Sequence, residues 1–275
     1  MSDAISPLAS PFPALPDIGG ATPHIVRAGY KDWGRCDLTY VELAEGTAVA
    51  GVFTRNVCSS SEVDLGRQNV AQGRARALVV NAGNSNAFTG AKGDASVAAI
   101  TGGVAQALGL PASRVFSSST GVIGEPLPHD RILAAIPTLQ VGLRQDAIAM
   151  AAEAIMTTDT FPKGASATIA GEGGPIHISG IAKGSGMIAP DMATMLVYIF
   201  TDAKISATAL QKILSRNTDA TFNSITVDSD TSTSDTLLLA ATGQSDAAPL
   251  KGATLKAFEV ALTGVMLNLA HQVIR

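Results

Sequence analysis

Residues 183–196 read KGSGMIAPDMATML, and Thr194 lies within them at the start of an apolar run rich in branched and aromatic residues. Such a run predicts a strand covered on both faces. A threonine hydroxyl is a weak nucleophile unless a base lies beside it, and an N-terminal threonine has that base in its own α-amine. Because an internal threonine lacks this amine, nucleophilic catalysis by Thr194 requires prior scission of its bond to Ala193. The alternative is that Thr194 merely begins a strand, a position where threonine is common.

The strands that must position this threonine are predicted from apolar spacing and turn residues. Residues 38–54, LTYVELAEGTAVAGVFT, alternate in polarity and break at the Glu45-Gly46 pair, which predicts a hairpin. ARALVVNAG, residues 75–83, has the pattern of a buried strand that ends at a glycine. The β-like runs 166–170 and 176–182 flank GEGGP and predict a second hairpin directly before the segment that contains Thr194.

Helices are predicted between and after these strands. Asp94 is expected to cap a helix over residues 94–110, which Gly109 and Pro111 would end. Apolar spacing predicts further helices over 128–139, 143–156 and 208–218, and a final amphipathic helix with a stripe of Leu255, Phe258, Leu262, Met266, Leu269 and Val273. That helix reaches Arg275 without a stop signal, so we expect the protein to extend beyond this chain.

Several collinear motifs, together covering most of the chain, strongly resemble the ornithine acetyltransferases, also called glutamate N-acetyltransferases. Residues 183–196 match the self-cleavage segment of that family. The other matches are GVFT at 51–54, NAGNSNAFTG at 81–90, STGVIG at 119–124, TTDTFPK at 157–163 and ITVDSDTSTSDT at 225–236. The alternation of hairpins and helices fits the α+β class, and the resemblance implies a layered αββα sandwich of the self-cleaving ornithine acetyltransferase and aminopeptidase type.

The resemblance implies that Thr194 attacks the carbonyl of Ala193 and that the chain splits there. Residues 1–193 would then form an alpha chain, and residues 194–275 would form the N-terminal part of a beta chain. The resemblance also assigns the stabilisation of the oxyanion to Thr120 and Gly121, through a hydroxyl and a backbone N–H. Taken without the family, Ser-Thr-Gly is an ordinary turn sequence.

Substrate binding is assigned by the same resemblance to Thr157, Lys183 and Thr194. A lysine ammonium suits the α-carboxylate that ornithine and glutamate share, although a lysine before a glycine is more often a solvated loop residue. The family's substrate-binding glutamate and its C-terminal substrate contacts would fall beyond Arg275. We therefore expect a chain with acyl-enzyme machinery but weaker binding of the diamino substrate.

The implied reaction is acetyl transfer from N-acetylornithine to glutamate in arginine biosynthesis, through an acetyl-Thr194 intermediate. Some relatives also accept acetyl-CoA as the donor, and no other cofactor is expected. Relatives assemble as heterotetramers of two alpha and two beta chains. Two alternatives remain open: a self-cleaving amidohydrolase or aminopeptidase in which water takes the acyl group, and a non-catalytic fragment that does not mature.

Composition argues against other classes of function. The 275 residues are 46% hydrophobic and 15% charged, and the net charge is −4 with no basic stripe, so nucleic acid is not an expected partner. No leader pattern or membrane span is predicted, and a cytoplasmic protein is expected. The four histidines and two cysteines lack metal-site spacing.

Asp228 and Asp230 could face a cation, but a polar turn network is the preferred interpretation. NAGNSNAFTG lacks the glycine spacing of a nucleotide-binding turn, and its asparagines are expected to tie down the loop.

Overall fold

The computed structural model describes residues 5–29, 33–189 and 195–275, except for the side chain of Gln145. Within these residues it contains nine strands and six α-helices. The strands are β1 Ala21–Val26, β2 Leu38–Leu43, β3 Ala48–Phe53, β4 Ala77–Asn84, β5 Val115–Val122, β6 Lys163–Gly171, β7 Gly174–Lys183, β8 Leu196–Thr201 and β9 Thr236–Ala241. The helices are α1 Ser61–Val70, α2 Ala91–Leu108, α3 Asp130–Leu139, α4 Ile148–Ala154, α5 Ala207–Thr218 and α6 Gly252–Val273.

The strands form two sheets that pack face to face. The first sheet has the order β1-β2-β4-β5, and the second has the order β3-β9-β8-β7-β6. One apolar core lies between the sheets, with Leu78 and Phe116 from the first sheet packed among Tyr198 and Leu238 from the second. A second core joins the first sheet to α2 and α3, and a third joins the second sheet to α5 and α6. These three apolar layers confirm the α+β class and the layered αββα arrangement.

The hairpin predicted over residues 38–54 is wrong, because β2 and β3 belong to different sheets. The turn near Gly46 exists, with Gly46 at φ 83° and the N–H of Thr47 donating to the Ala44 carbonyl over 3.2 Å. Beyond that turn the chain crosses from one sheet to the other, and β2 pairs with β4 while β3 pairs with β9. Both strands are buried almost throughout, so local alternation carried little information on pairing partners distant in the sequence.

The second hairpin is confirmed. Strands β6 and β7 pair in antiparallel fashion along their full length, up to the Gly171 and Gly174 pair beside the turn. The apolar run after Thr194 is also confirmed as a strand, since all six residues of β8 are buried. β8 lies between β7 and β9, so it is an inner strand of its sheet.

The start of α2 differs from the prediction. Asp94 is not the cap, because the helix begins at Ala91 and Gly90 at φ 56° precedes it. Asp94 lies in the first turn, where its negative charge favours the positive end of the helix dipole. The predicted end is confirmed, since Gly109 adopts the left-handed conformation after the last helical residue.

The amphipathic stripe on α6 is confirmed as a core face. Phe258, Leu262, Met266 and Leu269 are fully buried and belong to the apolar layer outside the second sheet. By length and hydropathy alone α6 could cross a membrane, but here it is the outer helix that covers β6 and β7.

Candidate active site

The predicted nucleophile and scission point, Thr194 and Ala193, lie outside the described residues. The strands before and after the segment that contains them, β7 and β8, are neighbours in the second sheet. Leu196, the first residue of β8, pairs with Lys183, the last residue of β7, and also with Thr236, the first residue of β9. This register brings the predicted ligand Lys183 to the end of β8 that begins two residues after the predicted nucleophile.

Lys183 and Thr120 meet across the interface between the sheets. The Lys183 Nζ atom donates a hydrogen bond to Thr120 Oγ1 over 3.0 Å, and both side chains are buried. An ammonium group can only donate, so the Thr120 hydroxyl is the acceptor in this bond and its own hydrogen is left for a different acceptor. Lys183 therefore orients the hydroxyl that the sequence predicts for the oxyanion hole.

Gly121 follows Thr120 and has a backbone conformation that requires glycine. Its φ is 134°, and a Cβ atom at this position would lie 2.4 Å from the carbonyl carbon of Gly83 on the neighbouring strand β4. Unlike Thr120, Gly121 is exposed. The last residues of β5 thus include an exposed backbone N–H that no side chain of its own obstructs, next to a buried hydroxyl.

Asp159 bonds to the backbone of the predicted ligand Thr157 and of Gly184, the residue after the predicted ligand Lys183, and sequence reasoning did not single it out. One carboxylate oxygen accepts from Lys163 Nζ and from the backbone N–H of Gly184, both over 2.7 Å. The other accepts from the N–H of Thr157 over 3.2 Å. The aspartate two residues after Thr157 in the TTDT motif, able to bond back to the N–H of that threonine, was the available signal.

The charges around Lys183 balance one another in a buried setting. Burial works to raise the pKa of Asp159, but the positive charges of Lys183 and Lys163 outweigh it and hold that pKa below its usual value. Burial lowers the pKa of Lys183, and the negative charge of Asp159 opposes this effect. Lys183, whose pKa is lowered, is attracted to the Asp159 carboxylate and donates to the Thr120 hydroxyl. The charges of Asp159, Lys163 and Lys183 therefore act on the predicted oxyanion hole.

A second carboxyl, Asp235, lies directly before β9. It is fully buried, and its Oδ1 atom accepts the backbone N–H of Met195 over 2.7 Å. Burial raises the pKa of Asp235 well above its usual value, against the opposing effects of the Met195 N–H, Lys183 and the Ser232 side chain. Sequence reasoning noted the surrounding motif but assigned no role to this residue.

The buried side chain of Glu62 contacts Ser119 of strand β5. Ser119 Oγ lies 2.6 Å from both Glu62 Oε1 and Asn81 Oδ1. A hydroxyl has a single hydrogen, so one of these contacts requires a proton on Glu62. Burial raises the pKa of Glu62 to about 7, which agrees with that requirement. The carboxyl therefore stabilises the strand residue next to Thr120.

The asparagines of residues 81–90 tie down their loop, as predicted. Asn81 Nδ2 donates to the Asn84 carbonyl over 2.8 Å, and Asn86 Nδ2 donates to Glu62 Oε1 over 3.0 Å. Asp228 also serves a turn network, since it accepts from the backbone N–H groups of Met187 and Ile188. Across the described ranges, no group of three or more His, Cys, Asp or Glu side chains is arranged to hold a metal ion.

Comparisons with known proteins identify relatives of this chain. The model of the ArgJ family matches residues 22–275. The arginine biosynthesis bifunctional protein ArgJ of Ruegeria pomeroyi is 55% identical over 274 residues, which cover 98% of this chain and 66% of that protein. The chain thus spans just under two thirds of the length of that curated relative.

Two solved structures extend the comparison. The ornithine acetyltransferase of Mycobacterium tuberculosis, complexed with ornithine, is 34% identical with a TM-score of 0.57, over 65% of this chain and 94% of the solved chain. A β-aminopeptidase of Burkholderia sp. shares the fold alone, with a TM-score of 0.51 at 12% identity over 93% of this chain and 84% of the solved one. Since the family model covers nearly the whole sequence and the identity to a curated relative exceeds one half, the chain belongs to the ArgJ family.

Proposed function

We propose that this protein is an acetyltransferase of arginine biosynthesis that moves an acetyl group from N-acetylornithine to glutamate, with Thr194 as the nucleophile. The observation that carries the proposal is the bond from Lys183 Nζ to Thr120 Oγ1. It joins the end of β7, the strand before the nucleophile segment, to the end of β5 with the two proposed oxyanion donors. Acyl transfer needs these donors and a nucleophile side by side.

The first step is scission of the chain. The Thr194 Oγ attacks the Ala193 carbonyl carbon, the peptide C–N bond breaks, and the hydroxyl proton passes to the nitrogen to give an ester and a free α-amine. Water then hydrolyses the ester, which leaves a carboxylate on Ala193 and restores the Thr194 hydroxyl. The new α-amine has an unperturbed pKa of about 7.7–8.0 and can act as the base near neutral pH.

We propose that scission divides this chain into pieces 1–193 and 194–275 that remain associated, with two copies of each in the assembly.

In the transfer reaction, the Thr194 hydroxyl attacks the acetyl carbonyl of N-acetylornithine while the α-amine takes the hydroxyl proton. The oxyanion is stabilised by Thr120 and Gly121. The proton then passes to the leaving amine of ornithine, and glutamate accepts the acetyl group by the reverse sequence. Asp159 accepts from the N–H of Thr157 and from the N–H of Gly184, the residue after Lys183, and its negative charge acts on Lys183. This arrangement supports a shared role of Thr157 and Lys183 in binding the amino-acid part of the substrate.

The test combines scission with acetyl transfer. Fresh protein is followed by mass spectrometry, with hydroxylamine added in parallel to capture the ester as a hydroxamate at Ala193. Split protein is then incubated with N-acetylornithine, with and without glutamate, and with acetyl-CoA as an alternative donor. We expect N-acetylglutamate to form only after splitting. Release of free acetate at a rate that glutamate does not change would instead favour a hydrolase.

A further inference from the structure

Two lysines with almost fully buried side chains lie at the same end of the β6–β7 hairpin. Lys163 is the first residue of β6 and is 1% exposed, and Lys183 is the last residue of β7 and is 2% exposed. The antiparallel register places Lys163 opposite Ala182, the residue before Lys183. An ammonium group removed from water is destabilising unless it is paired, so the partners of these two groups matter.

Lys163 has a full set of partners. Its Nζ atom donates to Asp159 Oδ1 over 2.7 Å and to the Phe161 carbonyl over 3.2 Å, and it lies 4.6 Å from the centre of the Phe161 ring. A hydrogen bond between two ionised groups is about twice as strong as one between neutral groups. Lys163 is therefore the direct counter-ion of Asp159.

Lys183 has a different set of contacts. Its single hydrogen bond within the described part of the chain goes to the neutral hydroxyl of Thr120, over 3.0 Å. Among the described residues, Asp159 acts on Lys183 through its charge, whereas its ion pair is with Lys163. An ammonium group has three hydrogens. Two hydrogens of Lys183 thus remain for acceptors that the described residues do not supply.

The charges of this buried cluster do not cancel. Among the described residues, the charged groups that act on Lys183 are Asp159, Lys163 and Asp235. The two lysines hold the pKa of Asp159 below its usual value, whereas burial raises the pKa of Asp235 well above its usual value and favours its neutral form. Two ammonium groups therefore face one carboxylate. Because Lys163 occupies that carboxylate, the excess positive charge lies on Lys183, where it favours an anionic ligand.

We propose that Lys163 is a positioning residue for substrate binding: as the counter-ion of Asp159, it keeps the ammonium group of Lys183 available for the α-carboxylate of the amino-acid substrate. This inference rests on the proposed function and adds a residue to its substrate site. The two oxygens of an α-carboxylate are suitable acceptors for the two remaining hydrogens of Lys183. Without Lys163, Asp159 would attract Lys183 as its own counter-ion, and the cluster would be neutral before any substrate binds.

Three variants test this charge relation. Lys163→Met removes the charge and nearly keeps the length of the side chain, whereas Lys163→Gln removes the charge but keeps a donor for Asp159. The double variant Lys163→Met/Asp159→Asn removes both charges of the pair and so restores the excess charge on Lys183. Lys212→Met, at an exposed lysine on α5, is the control for loss of a positive charge elsewhere. All variants are checked for folding by thermal unfolding.

The measurement is the ratio of the affinities for L-ornithine and 1,4-diaminobutane, obtained by isothermal titration calorimetry. These two probes differ only in the α-carboxylate, and their binding requires neither scission nor acetyl transfer. We expect the wild type to bind ornithine at least about tenfold more tightly, and both single variants at Lys163 to reduce this ratio to within about threefold of unity. The double variant and Lys212→Met should keep the wild-type ratio.

The double variant gives a result that a merely structural role would not produce. If Lys163 only supported the fold, removal of Asp159 as well would impair binding at least as much as Lys163→Met alone. Lys163→Gln decides the question if Lys163→Met does not fold. A folded single variant with the wild-type ratio, or a folded double variant with a ratio near unity, would overturn the proposal.

These outcomes are distinct from a failure of the proposed function. Lys183→Met should also lose the preference for ornithine. A wild type without this preference, or a preference that survives Lys183→Met, would refute the substrate role of Lys183 and the role of Lys163 with it. A preference that is lost in Lys183→Met but kept in both single variants at Lys163 would refute only the inference about Lys163.

Discussion

Replacing Thr120 by valine tests whether its hydroxyl serves both Lys183 and the oxyanion. Valine has nearly the same shape, so the packing of β5 against the second sheet is retained. The substitution removes the acceptor that lies 3.0 Å from Lys183 Nζ, and it removes the hydroxyl hydrogen proposed for the oxyanion. Two separate losses are therefore expected, one in stability and one in rate.

The magnitudes follow from the type of each bond. A hydrogen bond to a charged, buried group contributes about 1.5–3 kcal/mol, so the free energy of unfolding should fall by that amount. Loss of one oxyanion donor reduces the rate by roughly 100- to 1,000-fold. The rate loss should appear in splitting at Thr194 and in acetyl transfer by any material that has already split.

Thr101→Val is the matched control for this experiment. Thr101 is also buried, and its hydroxyl donates to the Val97 carbonyl over 2.8 Å within α2, a helix that contains none of the predicted site residues. It should lose about 1 kcal/mol of stability, as expected for a neutral hydrogen bond, with no change in rate. The reasoning is refuted if Thr120→Val splits within about threefold of the wild-type rate, or if both variants lose rate equally.

Three further predictions concern the surroundings of the site. Gly121→Ala should abolish splitting and lower the melting temperature, because φ is 134° and the added Cβ would lie 2.4 Å from the carbonyl carbon of Gly83; a variant with wild-type activity would contradict the role assigned to Gly121. Because burial raises the pKa of Glu62, its protonated carboxyl contributes stability that is fully present below about pH 4.5 and is lost as pH rises through about 7. Glu62→Gln should remove about 3 kcal/mol of pH dependence from the free energy of unfolding. An unchanged pH profile in this variant would show that Glu62 is not protonated in the fold. Asp159→Asn leaves two buried lysines with less compensation and should lower the free energy of unfolding by about 3–5 kcal/mol. Asp146→Asn, at an exposed ion pair with Arg144, should leave denaturant unfolding nearly unchanged, and equal effects of the two substitutions would contradict the buried network.

The strands and helices were largely predictable from local sequence patterns, whereas the pairing of the strands in the two sheets was not. The β6–β7 hairpin could be predicted because GEGGP marks its turn and its two strands are adjacent in sequence. The turn at Gly46 gave a similar local signal, yet it joins two sheets instead of two strands of one sheet. Period-two patterns predict a strand, but a strand buried on both faces gives no local indication of which strand lies beside it.

The candidate site was predictable only in part, for a related reason. Thr120, Gly121 and Lys183 were predicted from family motifs, and the structure brings Thr120 and Lys183 into contact. Asp159 had one local signal, its position two residues after Thr157, but its bond to Gly184 spans 25 residues, and Asp235 bonds to a backbone N–H 40 residues away in sequence. A buried carboxyl that accepts such bonds has no spacing signature, since only the register of the sheet brings the partners together.

The central claim is that Thr194 becomes an N-terminal nucleophile, and it is tested most directly by the mass of protein that is competent in acetyl transfer. We predict two associated chains with a new N-terminus at Thr194 in the wild type, and a single uncut chain without transfer activity in Thr194→Ala. Active protein in which mass spectrometry detects only the uncut chain would contradict the claim.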